Sequence, residues 1–162
     1  NMFASCNNIE TINLIFGNSL TTIYGMFTNC TGLKNVSLGS TAAVTNFYST
    51  FSNCTELKTI EALNMGAATN LSSTFLNCNA LERMGVEGSI NVSIDLKYST
   101  KLTVETAKNI IKALTNYAGT SNANKYTVYF AEEVLTALDA EGNTAPHGGI
   151  WSDYILSLGW NI

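Results

Sequence analysis

Apolar side chains recur along the first part of the chain at a fixed spacing of 24 residues, separated by stretches of Asn, Ser, Thr and Gly. Cys6, Cys30, Cys54 and Cys78 mark the register, with Phe3, Phe27, Phe51 and Phe75 three places before them and Ile9, Leu33, Leu57 and Leu81 three places after. Further columns are Ile12, Val36, Ile60 and Met84; Leu14, Leu38, Ala62 and Val86; and Leu20, Val44, Ala68 and Val92. A last column, Ile23, Phe47 and Leu71, is lost where Asp95 stands. Such a period is written by stacked units, each too small to bury its own apolar face and each covering its neighbour. The pattern predicts a repeat solenoid. Within a unit, the spacing of Leu33, Val36 and Leu38 predicts a short strand over residues 33–38, with counterparts at 9–14, 57–62 and 81–86 stacked as a parallel ladder. A polar turn follows, such as Gly39-Ser40-Thr41, and then a return stretch over 44–54. The spacing 44, 47, 51 and 54 suits one face of a short helix, and a run of turns is the alternative.

The pattern changes after Val86. Ile90, Val92, Ile94 and Leu96 alternate, which predicts one longer strand closing the stack. Thr103 is placed to cap a helix whose apolar face is Val104, Ala107, Ile110, Ile111, Leu114 and Tyr117, with Gly119 as its stop. A strand over 126–130 and helices over 131–141 and 152–158 complete the chain. The expected division is therefore repeats over 1–96 and a C-terminal α+β cap or appended module over 97–162.

The strand spacing is that of a leucine-rich repeat. The motif M-F-x-x-C-x-x-L, present as Met2-Phe3-Ala4-Ser5-Cys6-Asn7-Asn8-Ile9 and Met26-Phe27-Thr28-Asn29-Cys30-Thr31-Gly32-Leu33, resembles the BspA-like leucine-rich repeats of bacterial surface proteins. Copies three and four carry Thr50 and Thr74 in the methionine place. The resemblance covers about residues 1–92, and it implies an exported bacterial protein, extracellular or at the cell surface, that binds other proteins or host surfaces.

Composition narrows the alternatives. With 46% apolar and 12% charged residues the chain is expected to fold, and a net charge of −4 with scattered basic residues argues against a nucleic-acid footprint. No run is long and apolar enough to span a bilayer. Asn1-Met2-Phe3 matches Gly25-Met26-Phe27, so the chain is expected to begin inside a repeat, with further repeats and a signal upstream. Four cysteines in equivalent positions of stacked coils lie parallel, roughly 4.8 Å apart, and do not point at one another as a disulfide requires. Buried free thiols are expected, and a zinc site, whose ligands converge, is not. Asn29, Asn53 and Asn77, each before a cysteine, read as a structural ladder of buried amides bonding the backbone of the next coil. Triplets matching glycosylation acceptors, Asn53-Cys54-Thr55 among them, read as by-products of the repeat.

Reactive groups do not converge at any spacing that catalysis uses, and no phosphate loop or dinucleotide fingerprint is present, so neither enzymatic activity nor a cofactor is expected. His147, the sole histidine, sits in a Pro-His-Gly-Gly turn, and Trp151 and Trp160 read as core of the cap rather than a carbohydrate platform. Binding is where the pattern points. Between the apolar columns of the strands, Thr11, Asn13, Asn35, Ser37, Thr59, Glu61, Arg83 and Gly85 are expected on the outer sheet face as a candidate ligand face. Two classes stay open: an interaction or adhesion module for a protein, a host surface or a glycan, and a self-associating component of an extracellular fibre or phage virion.

Overall fold

A computed structural model describes residues 2–162; Asn1, used above to align the first unit, lies outside the described residues. Four strands, β1 (Thr11–Leu14), β2 (Asn35–Leu38), β3 (Thr59–Asn64) and β4 (Arg83–Glu87), form one parallel sheet in sequence order. The register follows the period, with Thr11 opposite Asn35, Asn35 opposite Thr59 and Thr59 opposite Arg83. The strands start two residues later than the spacing predicts, because Leu33, Leu57 and Leu81 each close a turn onto the cysteine carbonyl three residues back. Ile12, Val36, Ile60 and Met84 point inward and are at most 5% exposed.

The return side takes the turn alternative and is hydrogen-bonded from coil to coil. Alternate amides of one coil, those of Ile23, Gly25, Phe27 and Asn29, donate to the carbonyls of Asn46, Tyr48, Thr50 and Ser52 in the next. Between these bonds the backbone doubles back through left-handed residues: Gly25, Ser49 and Ser73 at one corner, and Ser5, Asn29, Asn53 and Asn77 at the other. A left-handed corner is incompatible with a continuing helix, and asparagine tolerates it better than other side chains. The asparagine ladder therefore has a different cause from the expected one. Its members are exposed or half-buried rather than buried, and they bond one another, with Asn53 Nδ2 donating to Asn29 Oδ1 and Asn77 Nδ2 to Asn53 Oδ1, both at 2.7 Å.

The interior is a set of columns. Phe3, Phe27, Phe51 and Phe75 stack ring on ring at 5.6, 5.5 and 6.1 Å. The thiols of Cys30, Cys54 and Cys78 donate to the carbonyls of Phe3, Phe27 and Phe51 at 2.9, 3.1 and 3.2 Å. Four free thiols result. Where threonine replaces methionine, its buried hydroxyl finds carbonyls too: Thr50 Oγ1 lies 2.7 Å from Phe47 O, and Thr74 Oγ1 2.7 Å from Leu71 O. Burial, and secondarily the neighbouring thiol, push Cys54 up to about 12 and Cys78 well above its ordinary value.

One column shifts. β3 carries two residues, Glu61 and Ala62, opposite the single Gly85 of β4, so Leu63 rather than Ala62 turns into the core and is fully buried. The bulge brings Glu61 O so close that a Cβ on Gly85 would lie 2.0 Å from it. Thr41 pins the end of the bulged strand, accepting from Asn64 N at 2.8 Å and donating to Asn64 O at 3.0 Å.

Beyond β4 the expected single strand is broken. Ile90 pairs with Leu114, Val92 lies at a bend beside the Asn91 amide that bonds Gly66 O, and only β5 (Ile94–Leu96) is a strand, paired in parallel with β6 (Val128–Phe130). Helix α1 (Val104–Ala113) starts at Thr103, whose hydroxyl accepts from Thr106 N, and it packs against β4. It stops at Leu114, five residues short of the expected glycine signal, because Leu114 is extended and joins the Ile90 bridge. Helices α2 (Glu132–Asp139) and α3 (Trp151–Ser157) complete the C-terminal part, where Lys108 pairs with Glu141 and lies over Trp151. Trp151 and Trp160 are core, at 2% and 0% exposure, their indole N–H groups bonded to Thr144 Oγ1 and Thr115 O.

Three outcomes follow from this packing. The thiol shifts are upward, so the folded state holds these protons more tightly than the unfolded chain; stability is full below the ordinary thiol value of 9.0 and falls as pH rises from there toward about 12. Chemical denaturation across that range is expected to show a decline of up to ~1.4 kcal/mol per pH unit for each such thiol. In native protein at about pH 8, alkylation should reach half-buried Cys6 and spare Cys54 and Cys78; equal labelling of all four would refute the buried column. Gly85→Ala is expected to cost about 1–3 kcal/mol in the same denaturation assay, because the bulge carbonyl has to move.

Candidate functional site

The sheet face is built by strand alternation: inward residues anchor in the columns, and their neighbours point out. Thr11, Asn35, Thr59 and Arg83 lie side by side in one unbroken row, with Thr59 half-buried and the other three exposed. Arg83 Nη2 reaches back along the row to Thr59 Oγ1 at 3.4 Å. Asn13 and half-buried Ser37 begin a second row in register, but exposed Glu61 falls in the bulge and is out of line with them. Gly85, the last member of that row, lies under the Glu61 carbonyl and is there for close backbone approach. The structure thus brings together Thr11, Asn13, Asn35, Ser37 and Thr59 around one shallow depression of about 200 Å³, which Glu61 also lines. A second depression, about 360 Å³, is shared by Thr59, Glu61 and Arg83 with Thr103, Glu105 and Asn109 at the start of α1.

Charge is sparse on this surface. Beside it Lys34 pairs with Glu10 at 2.9 Å, and the hydrogen bond with that carboxylate holds the ammonium above its usual range. Ion pairs of this exposed kind contribute little to stability. Glu61 and Arg83 take part in none of the described ion pairs, so both remain available at the α1 end of the face. The strands give the face a fixed backbone, and most of its functional groups are hydroxyls and amides, able to donate and accept.

Among the described residues no group of three or more His, Cys, Asp or Glu converges as a metal site requires. The cysteines are spent on the inner column, and exposed His147 rests edge-on against Tyr154 at 5.4 Å. Among the described residues no helix is long and apolar enough to cross a membrane. Two surface features escaped the reading of sequence. Tyr24 and Tyr48 stack at 5.4 Å on the exposed return side, and the 24-residue spacing between them was a legible signal. The bulge had no such signal, since it depends on how β3 meets β4.

No curated protein and no solved structure matches the chain. The family model described as BspA type leucine rich repeat region matches residues 1–125 in six copies, running past the four cysteine-bearing units into α1 and beyond. Backbone geometry continues over part of that extension: Lys34 N to Glu10 O, Lys58 N to Lys34 O and Glu82 N to Lys58 O are followed by Thr103 N to Glu82 O. Column chemistry, coil-to-coil bonding and the family match over most of its length agree: the chain belongs to the BspA-type leucine-rich-repeat family, whose repeats form a protein-interaction module.

Proposed function

We propose that this chain is the recognition part of an exported bacterial surface protein and that its sheet face binds a protein ligand outside the cell. The observation that carries the reading is the unbroken row Thr11, Asn35, Thr59 and Arg83, polar, in register and backed by a rigid core. A surface whose backbone is already fixed loses little conformational entropy on binding, which favours affinity from few contacts. Its small polar side chains suit a partner that presents main-chain groups and hydroxyls, with Glu61 and Arg83 setting orientation through charge. Resemblance of the repeats to those of bacterial surface proteins supports the location.

Probing protein and glycan arrays with the full chain tests the reading. A protein ligand is expected, and the paired change Glu61→Lys with Arg83→Glu should weaken it by about tenfold or more, as reversal of central charges does. Changes on the opposite side, such as Tyr24→Ser, should leave that binding intact. Binding to glycans alone, or a chain that light scattering finds assembled into large oligomers through this face, would overturn it.

A further inference from the structure

The ladder of hydrogen bonds on the return side stops one coil before the ladder on the sheet side. Ile23 and Gly25 donate to Asn46 O and Tyr48 O, and Phe47 and Ser49 donate to Asn70 O and Ser72 O. Leu71 and Ser73, next in that series, meet no acceptor among the described residues. The reason is topological: the segment that the period places beside them, Ile94–Leu96, is turned away to pair with β6. A notch of about 280 Å³ is left between the third coil and β5, lined by Leu71, Ser72 and Ser73 on one wall and by Ser93, Asp95 and Tyr129 on the other. Tyr129 is 45% exposed, and Asp95 is neutralised by Lys97 at 3.2 Å, so the notch carries no net attraction for an ion.

We infer that this notch binds an extended polypeptide segment, added in parallel to the third coil as the missing rung of the return ladder. Two main-chain donors two residues apart along the chain match the spacing of alternate carbonyls on an extended strand, at roughly 3.3 Å per residue. A row of donors without acceptors selects a row of acceptors, and an extended backbone is the ligand that supplies them at fixed intervals. Ser72 determines access. It stands one period after Tyr48, which stacks on Tyr24, so a serine here leaves open the place that a third ring would fill. The site lies on the return side, away from the sheet face, and does not depend on what that face binds.

The experiment uses the full chain and, as probe, a capped hexapeptide with the sequence of residues 45–50, whose carbonyls at Asn46 and Tyr48 form the same rung two coils earlier by accepting from Ile23 and Gly25. Amide exchange by NMR is expected to show Leu71 and Ser73 exchanging much faster than their equivalents Phe47 and Ser49 in the free protein. Millimolar peptide should slow both, and Ser72→Tyr, which extends the exposed tyrosine stack, should weaken that effect by about tenfold or more while leaving sheet-face ligand binding unchanged. Amides of Leu71 and Ser73 already as protected as those of Phe47 and Ser49 would overturn the proposal. So would a peptide without effect, one that binds Ser72→Tyr equally well, or protection by a glycan where no peptide protects.

Discussion

Everything in the repeat region depends on main-chain groups of one coil being satisfied by the next. A 24-residue coil has too few residues to close its own backbone bonds, and a buried amide or carbonyl left alone costs on the order of 1–3 kcal/mol. The solution is two ladders, one through β1 to β4 and one through the doubled turns of the return side. Once both exist, the side-chain columns follow. Left-handed corners select Asn, Ser and Gly, and the inward positions beside carbonyls select Cys or Thr, small side chains able to donate a proton. Phenylalanine fills the remaining width by stacking.

The same constraint explains how the stack ends. On the sheet side α1 packs against β4 and covers that edge, and Thr103 supplies one more coil-to-coil bond before capping the helix. On the return side the chain leaves the period earlier, so β5 takes β6 as its partner and the third coil keeps donors without acceptors among the described residues. Ser99 shows the local cost of that departure: it occupies the phenylalanine column, is fully buried, and its hydroxyl has no partner among the described residues. Coil geometry and cap geometry meet here, and the mismatch opens the notch.

The residues that hold the coils together and those of the outer sheet face are largely separate sets. Side chains that hold the coils together point inward or lie at the corners, while those of the sheet face are exposed or half-buried. The exceptions are instructive. Gly85 occupies a face position for the sake of the bulge, and the bulge in turn carries Glu61 out of the row that alternation assigned it. Arg83 leans on Thr59, which turns the basic end of the face back over its middle.

Sequence alone determined the period, the parallel ladder, the free cysteine column, the core role of Trp151 and Trp160, and, in β1 and β2, which strand residues alternate outward. These are legible because periodic side-chain identity reports periodic environment, and each copy repeats the measurement. Tertiary structure decided what has no periodic trace. The return stretches share their apolar spacing with a helix, and only the left-handed corners and the bonds to neighbouring coils make them turns. Leu63 displaces Ala62 because a bulge changes the count between strands without changing the sequence period. The run from Ile90 to Leu96 alternates as a strand does, yet it is divided between two partners, Leu114 and β6, supplied by segments far along the chain. Local pattern specifies which side of a segment faces inward; which neighbour it meets is settled by the chain as a whole, because pairing energy depends on partners that a local pattern does not contain.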